Sequence, residues 1–205
     1  MPVNPYIVVD LFEQALAEYT GAKYAVATSS CTAALLITLK HLKVNYVKIP
    51  KFTYCSVPQA ILLAGGFPEY EDVEWKGKYR LKPYPVWDCA RLFTSGMYEP
   101  GTYQCVSFHW KKTLAIGQGG AILHDNDEAD ALFRKMRFNG RTAGVVPKED
   151  TFPVLGWPFN MMPRDAAEGL SRLSVLPAHN DPKPNDDYVD LSTIKTFEGI
   201  PTWDV

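Results

Sequence analysis

The sequence predicts a three-layer α/β domain with a mostly parallel sheet. Short apolar runs alternate along the chain with longer segments of helical periodicity, an order typical of strands that are covered by helices on both faces. The chain has 205 residues, of which 46% are hydrophobic and 21% are charged. This size and composition fit one soluble globular domain with a full core.

The first half of the chain begins with an amphipathic helix. Val9, Phe12 and Leu16 recur at helical spacing, and Gly21 is placed to end the helix. Residues 72–83 are polar and aromatic without a clear period, and they are predicted to form a loop or an irregular connection. The elements predicted between these segments are a strand at 23–28, a helix at 33–42, a strand at 45–49, a helix at 57–64 and a strand at 67–71.

A polar turn links the first predicted strand to the second helix, and it reads Ser-Ser-Cys-Thr at 29–32. Such a turn aims free backbone N–H groups and the positive end of the helix at an anion. Ser30 and Thr32 are therefore candidates to bind a phosphate group. Serine and threonine are also preferred as helix caps, and the two roles are compatible.

An aspartate, Asp88, directly follows an apolar strand at 85–87. The carboxyl ends of parallel strands face the ligand crevice, so Asp88 is a candidate functional residue. An aspartate in a surface turn is the alternative. The elements predicted after it are strands at 103–108 and 121–123 and helices at 127–140 and 164–176.

Two adjacent lysines, Lys111 and Lys112, lie between the last two predicted strands, and a Gly-Gln-Gly-Gly turn follows them at 117–120. A buried ammonium is costly unless it is paired or neutral. A lysine whose pKa is lowered by burial is a nucleophile that can form a Schiff base. The alternative is a pair of solvated lysines in a loop.

Charge and cysteine content narrow the class of protein. The 21 basic and 23 acidic residues leave a formal charge of −2, which gives no electrostatic basis for binding duplex nucleic acid. No apolar run approaches the length of a membrane span and no leader pattern opens the chain, so we expect a cytoplasmic protein. Reduced, buried thiols are predicted rather than disulfides or a metal site, because no CxxC spacing connects Cys31, Cys55, Cys89 and Cys105.

Five segments, in this order, resemble the DegT/StrS family of pyridoxal-phosphate-dependent aminotransferases, most of which act on nucleotide-linked keto-sugars. The resemblance covers roughly residues 10 to 170. The segments are residues 12–30, the turn at 30–35 with Cys31 in place of a glycine, residues 50–60, Val-Trp-Asp-Cys-Ala at 86–90, and residues 107–121.

The resemblance implies pyridoxal 5′-phosphate as the cofactor and assigns roles to individual residues. Lys112 is at the position that binds the cofactor covalently, and Asp88 is at the position that contacts the pyridine nitrogen. Arg91 and His109 are candidates to contact the substrate. Arg91 stands where the family usually has a glutamine, and it is a candidate anchor for a donor carboxylate because a guanidinium binds a carboxylate through two parallel hydrogen bonds. Tyr54 is expected to lie against the ring. The other residues expected to bind the cofactor, near its phosphate, are Ser30, Cys31, Thr32 and Ser107.

The resemblance also implies a homodimer, because relatives complete each site with residues of the partner subunit. Residues 156–161 resemble the family segment that reaches the partner, with Pro158 at the position of the family's asparagine. Asn160 is assigned to the contact with the partner subunit.

The implied fold is the large domain of fold-type-I aminotransferases at residues 1–176, followed by a loop-rich tail at 177–205. The family's small C-terminal domain is largely missing, and residues 72–86 are too few for the family's strand, helix and histidine-bearing loop. The implied activity transfers an amino group from an amino acid to a keto acceptor, including nucleotide-sugars. Two alternatives remain open: a dehydratase or elimination enzyme with the same cofactor, and a non-catalytic relative that acts as an interaction protein.

Overall fold

The computed structural model describes residues 4–185 and 187–197, so residue 186 and the end of the predicted tail lie outside the described part. None of the described helices is long and apolar enough to span a membrane. The helices and strands are α1 (Ile7–Thr20), β1 (Tyr24–Thr28), α2 (Cys31–His41), β2 (Tyr46–Pro50), α3 (Ser56–Ala64), β3 (Phe67–Glu71), β4 (Tyr79–Leu81), β5 (Val86–Asp88), β6 (Tyr103–Ser107), β7 (Gly120–His124), α4 (Asp127–Met136) and α5 (Pro163–Leu173). Short 3₁₀ helices lie at Pro147–Glu149, Leu191–Thr193 and Lys195–Phe197.

Side chains alternate between two cores along the central strands. Val26 and Ile122 pair across β1 and β7, and both belong to a core shared with α2, α3 and α4. Their neighbours Ala27 and Ala121 also pair, and they belong to a second core with α1 and α5. Helices therefore cover both faces of the sheet, which confirms the predicted three-layer α/β fold.

The strand directions are mixed, whereas the sequence analysis predicted mostly parallel strands. The five-stranded sheet has the order β1-β7-β6-β5-β4, in which β5 and β6 are parallel and the other neighbours are antiparallel. Strands β2 and β3 form a separate parallel pair. A parallel return requires a crossover of a dozen or more residues. Residues 82–85 are too short for one, so β4 and β5 form an antiparallel hairpin.

Strand β4 lies within residues 72–83, so the prediction of a loop or an irregular connection was wrong for residues 79–81. Tyr79 and Leu81 are buried while Arg80 between them is exposed, which is the alternation of a strand with one buried face. In the hairpin, Tyr79 is the residue directly opposite Asp88. Side chains of directly opposed residues project to the same face of a sheet, so β4 brings Tyr79 next to a predicted functional residue.

The four cysteines are all free, and they differ in burial. Cys89 and Cys105 are buried as predicted, and Cys31 is half-buried. The prediction was wrong for Cys55, which is exposed because it immediately precedes α3, in the N-cap position rather than on the buried face of the helix.

Candidate active site

One cavity, with a volume of about 340 Å³, brings together most of the residues that were predicted to be functional. The predicted residues that line it are Ser30, Cys31, Thr32, Tyr54, Asp88, Arg91, Ser107, His109 and Lys112. Lining residues that the sequence analysis did not assign include Ser56, Gln118, Asp187 and Tyr188. Asn160 does not line the cavity, and its side-chain amide lies 3.3 Å from the hydroxyl of Tyr6, to which it donates.

The N-terminus of α2 forms one end of the cavity. The Oγ of Ser30 accepts from the amide of Ala33 at 3.1 Å, so the predicted capping role is confirmed. The first bond of the helix joins the amide of Ala34 to the carbonyl of Ser30 at 3.1 Å. The amides of Cys31 and Thr32 precede that bond and have no acceptor within the helix. These two amides and the hydroxyl of Thr32, which lies 2.7 Å from that of Ser56, supply donors for an anion.

A close approach of β7 explains part of the glycine-rich sequence. A β-carbon on Gly120 would lie 2.6 Å from the carbonyl carbon of Ser30, and still nearer to the amide nitrogen of Cys31. Only glycine therefore allows β7 to pack against the turn that begins α2. Gly117 and Gly119 have φ angles of 100° and 140°, and residues with a side chain rarely adopt such positive values.

Asp88 is buried at the end of β5, which excludes the alternative of a surface turn. Its Oδ1 accepts from the amide of Ala90 at 2.9 Å, and its Oδ2 accepts from the hydroxyl of Tyr79 at 2.8 Å. Burial raises the pKa of the Asp88 carboxyl, while these two donors and then Lys112 oppose that rise. The carboxyl group is thus held in a fixed orientation by donors that favour its ionised form.

Tyr79 was missed by the sequence analysis. Its single hydroxyl proton is donated to Asp88, so the hydroxyl of Thr53, 2.6 Å away, donates to Tyr79. The ring of Trp75 contacts that of Tyr79 edge-on at a centroid distance of 4.6 Å. The residue opposite Asp88 could have been found only by recognising β4, and a three-residue strand inside a polar segment gives little periodicity.

Lys112 reaches the cavity from a tight loop between β6 and β7. The amides of Phe108 and Trp110 donate to the carbonyls of Gly119 and Gly117 at 2.9 and 3.1 Å, which narrows the loop. Lys112 is half-buried, and burial, followed by the charge of Arg91, lowers its pKa. A lowered pKa increases the neutral fraction of the amine, which is the nucleophilic form.

The neighbours of Lys112 in the same loop are more exposed. Lys111 is exposed, and its ammonium lies 5.1 Å from the centroid of the Trp110 ring. His109 is exposed at the edge of the cavity, and burial, followed by the charges of the two lysines, lowers the pKa of its imidazole. Of the two adjacent lysines, Lys112 therefore has the environment that favours a neutral amine.

Arg91 contacts two residues from the C-terminal part of the chain. Its Nη2 pairs with Asp187, and its Nε donates to the hydroxyl of Tyr188 at 3.0 Å. The ring of Tyr188 lies 6.2 Å from that of Tyr54 and stacks at 6.1 Å on that of Trp75. The residue predicted to anchor a donor carboxylate is thus already paired with a carboxylate of this chain.

The model of the DegT/DnrJ/EryC1/StrS aminotransferase family matches residues 4–86 and 95–185. The chain belongs to this family. The match covers most of the chain, including Ser30, Tyr54 and Lys112, and ends two residues before Asp187. The resemblance to this family is therefore confirmed, and residues 87–94, which include Asp88 and Arg91, lie outside the match.

Solved structures share the fold of this family member at low sequence identity. NtdA from Bacillus subtilis, with the bound cofactor PMP, is 24% identical with a TM-score of 0.70, and the match covers 82% of this chain and 48% of NtdA. PseC from Helicobacter pylori, an aminotransferase of pseudoaminic acid biosynthesis, is 17% identical with a TM-score of 0.70 over 85% and 58% of the two chains. The sugar aminotransferase CalS13 from Micromonospora echinospora is 18% identical with a TM-score of 0.72 over 82% and 60%. The chain thus spans about half to three-fifths of the length of these structures.

Proposed function

We propose that this chain binds pyridoxal phosphate through Lys112 and transfers an amino group from an amino acid donor to a keto acceptor. The observation that carries the proposal is that Asp88, Lys112 and the N-terminus of α2 line one cavity. Asp88 ends β5 and Lys112 lies in the loop that follows β6. Two hydrogen-bond donors to Asp88 favour its carboxylate against the effect of burial, and burial lowers the pKa of Lys112. The membership of an aminotransferase family supports the same activity.

The residues present fit the phosphate end of the cofactor. The amides at the start of α2 and the hydroxyls of Thr32 and Ser56 converge on one side of the cavity. A helix N-terminus with free amides and hydroxyl donors is suited to a phosphate dianion. Ser107, at the end of β6, supplies a further hydroxyl from the sheet.

Asp88, Lys112 and Tyr54 fit the ring and the aldehyde of the cofactor. The buried carboxylate of Asp88 can accept a hydrogen bond from a protonated ring nitrogen, and the amine of Lys112 is the nucleophile for the aldehyde. Tyr54 lines the cavity and offers an aromatic face to a planar ring. A cavity of about 340 Å³ is within the size range of small-molecule sites.

In this proposal each residue has one task. Bound pyridoxal phosphate supplies the electron withdrawal that acidifies the α-carbon of the donor. Asp88 keeps the proton on the ring nitrogen, and Tyr79 keeps Asp88 oriented. Once the donor amine has displaced it from the cofactor, Lys112 Nζ would act as the general base that moves the proton between the α-carbon of the substrate and the carbon of the cofactor that carries the amino group. Arg91 binds the donor carboxylate through its guanidinium.

The half-reaction of the cofactor-loaded protein with an amino donor tests this function. Cofactor-loaded protein should lose the absorbance of the lysine-bound cofactor when glutamate or glutamine is added, with release of the matching keto acid. Arg91→Ala should weaken the apparent affinity for the donor more than it slows the chemistry, because it removes a binding contact that exists before the reaction. A panel of amino donors that leaves the spectrum of fully loaded protein unchanged would contradict the proposal.

We also propose a nucleotide-linked keto-sugar as the acceptor, which the family resemblance supports, and the cytoplasm as the compartment. A non-catalytic role is the second candidate, and the pairing of Arg91 with Asp187 favours it because that pair occupies the proposed carboxylate anchor. The half-reaction separates the two, since a non-catalytic relative binds the cofactor without converting a donor.

We expect the chain to act as a homodimer in which Asn160 contacts the partner subunit. Asn160 bonds to Tyr6, and exposed apolar side chains nearby in sequence are Ile7, Leu11 and Met162. Obligate interfaces bury more than about 2,000 Å² and are rich in such side chains. Light scattering should give twice the chain mass of 23.0 kDa. A monomer that retains the cofactor at working concentration would contradict this expectation.

A further inference from the structure

The described residues 187–197, which we call the C-terminal strap, pack beside the cavity. The amide of Leu191 donates to the carbonyl of Lys51 at 2.9 Å, and the side chain of Leu191 is buried. Asp190 pairs with the ammonium of Lys51 at 3.5 Å. These contacts hold the strap against the residues that precede α3, and its first two residues line the cavity. The family match ends at residue 185, so the strap lies outside it.

The strap supplies the partners of Arg91. Asp187 pairs with Nη2, Tyr188 accepts from Nε at 3.0 Å, and the guanidinium carbon lies 4.6 Å from the centroid of the Tyr188 ring. The Arg91 side chain is only 14% exposed, whereas that of Asp187 is 56% exposed. Asp187 is therefore the partner that can leave into solvent, while Arg91 stays in the cavity wall.

We propose that Asp187 competes with the carboxylate of the substrate for Arg91 and thereby determines how well the site accepts carboxylate-bearing donors. This inference rests on the proposed function of Arg91 as the carboxylate anchor. Asp187 is paired with Nη2 and Tyr188 with Nε, and two carboxylates on one guanidinium repel each other, so a donor carboxylate and Asp187 compete for Arg91. Because Leu191 anchors the strap independently, the Asp187 side chain can turn outward and free Nη2 while Tyr188 keeps its contact with Nε.

The competition predicts a selective effect of Asp187→Asn on ligand affinity. Suitable probes are 4-carbamoylbutanoate, which is glutamine without its amino group, and pentanediamide, its uncharged isostere. Neither can react, so calorimetric titration of cofactor-loaded protein measures binding alone. Asp187→Asn should strengthen binding of 4-carbamoylbutanoate by roughly two- to fivefold, the range that a partly exposed ion pair supplies, and leave pentanediamide unchanged.

Two controls make the result specific to Arg91. Asp181→Asn removes the same charge from an exposed aspartate that does not line the cavity, and it should change neither affinity. In an Arg91→Ala background, Asp187→Asn should no longer strengthen the binding of 4-carbamoylbutanoate, because there is no shared partner to compete for.

The inference would be overturned if Asp187→Asn changed the affinity for both probes equally or changed neither. It would also be overturned if 4-carbamoylbutanoate bound measurably to neither the wild type nor the variant. This test is independent of the test of the proposed function, because it measures the binding of probes that do not react. If glutamine leaves the spectrum unchanged while the selective effect on 4-carbamoylbutanoate is present, the transamination proposal fails and the competition at Arg91 stands.

Discussion

Lys112→Ala is expected to abolish covalent attachment of pyridoxal phosphate and to slow the half-reaction by about 10²- to 10⁴-fold, the contribution of a positioned general base. The substitution removes both the nucleophile that holds the cofactor and the base that moves the donor's proton. The loss should appear in single-turnover absorbance measurements with saturating cofactor, so that weaker cofactor binding does not account for it.

Lys111→Ala is the matched control. Lys111 is the adjacent lysine in the same loop, but it is exposed and its ammonium lies over the ring of Trp110. This variant should keep the covalent cofactor and most of the rate. The opposite pattern, with activity lost in Lys111→Ala and kept in Lys112→Ala, would show that the assignment of the two lysines is reversed.

Asp88→Asn is expected to slow the half-reaction by about 10²-fold or more, the effect of removing one preorganised electrostatic group from a buried site. A neutral amide cannot stabilise a protonated pyridine nitrogen. The phosphate donors at the start of α2 are untouched, so cofactor affinity should fall much less than the rate. Stopped-flow absorbance with glutamate measures the rate, and equilibrium titration with the cofactor measures the affinity. Equal losses in both would contradict the assigned role.

Tyr79→Phe provides a graded comparison, because it keeps the carboxylate and removes one donor to it. The hydroxyl of Tyr79 lowers the pKa of Asp88, opposing the larger effect of burial. Its loss should raise that pKa further, so the acidic limb of the pH–rate profile should move to higher pH. A purely structural role of Tyr79 would lower the rate without moving the limb.

The central part of the fold follows from local pattern. Val26 and Ile122 alternate with Ala27 and Ala121 in short apolar runs, and this alternation predicts strands with two buried faces. Gly21, with a φ of 79°, ends α1 as its position after the helical pattern predicted. The antiparallel pairing of β4 with β5 required a further observation, namely that residues 82–85 are too short for a crossover.

The cavity could be predicted only in part. Asp88 ends β5, Ser30 lies two residues after β1, and Lys112 lies in the loop that follows β6. The carboxyl ends of parallel strands meet at one edge of an α/β sheet, so these positions were expected to converge. Tyr79 depends on the register of a three-residue strand, and Asp187 lies 96 residues beyond Arg91 in the sequence. The pairing of Asp187 with Arg91 depends on the conformation of the loop-rich C-terminal segment. Such a segment has no periodic sequence pattern from which its position could be predicted.

Borohydride reduction of the protein after incubation with pyridoxal phosphate, followed by peptide mass mapping, tests the central claim most directly. Reduction fixes the cofactor on the amine that holds it, whatever the later reaction. We expect a single modified residue, Lys112, and no modification at that site in Lys112→Ala. A label on Lys111 or elsewhere, or no label on protein saturated with the cofactor, would contradict it.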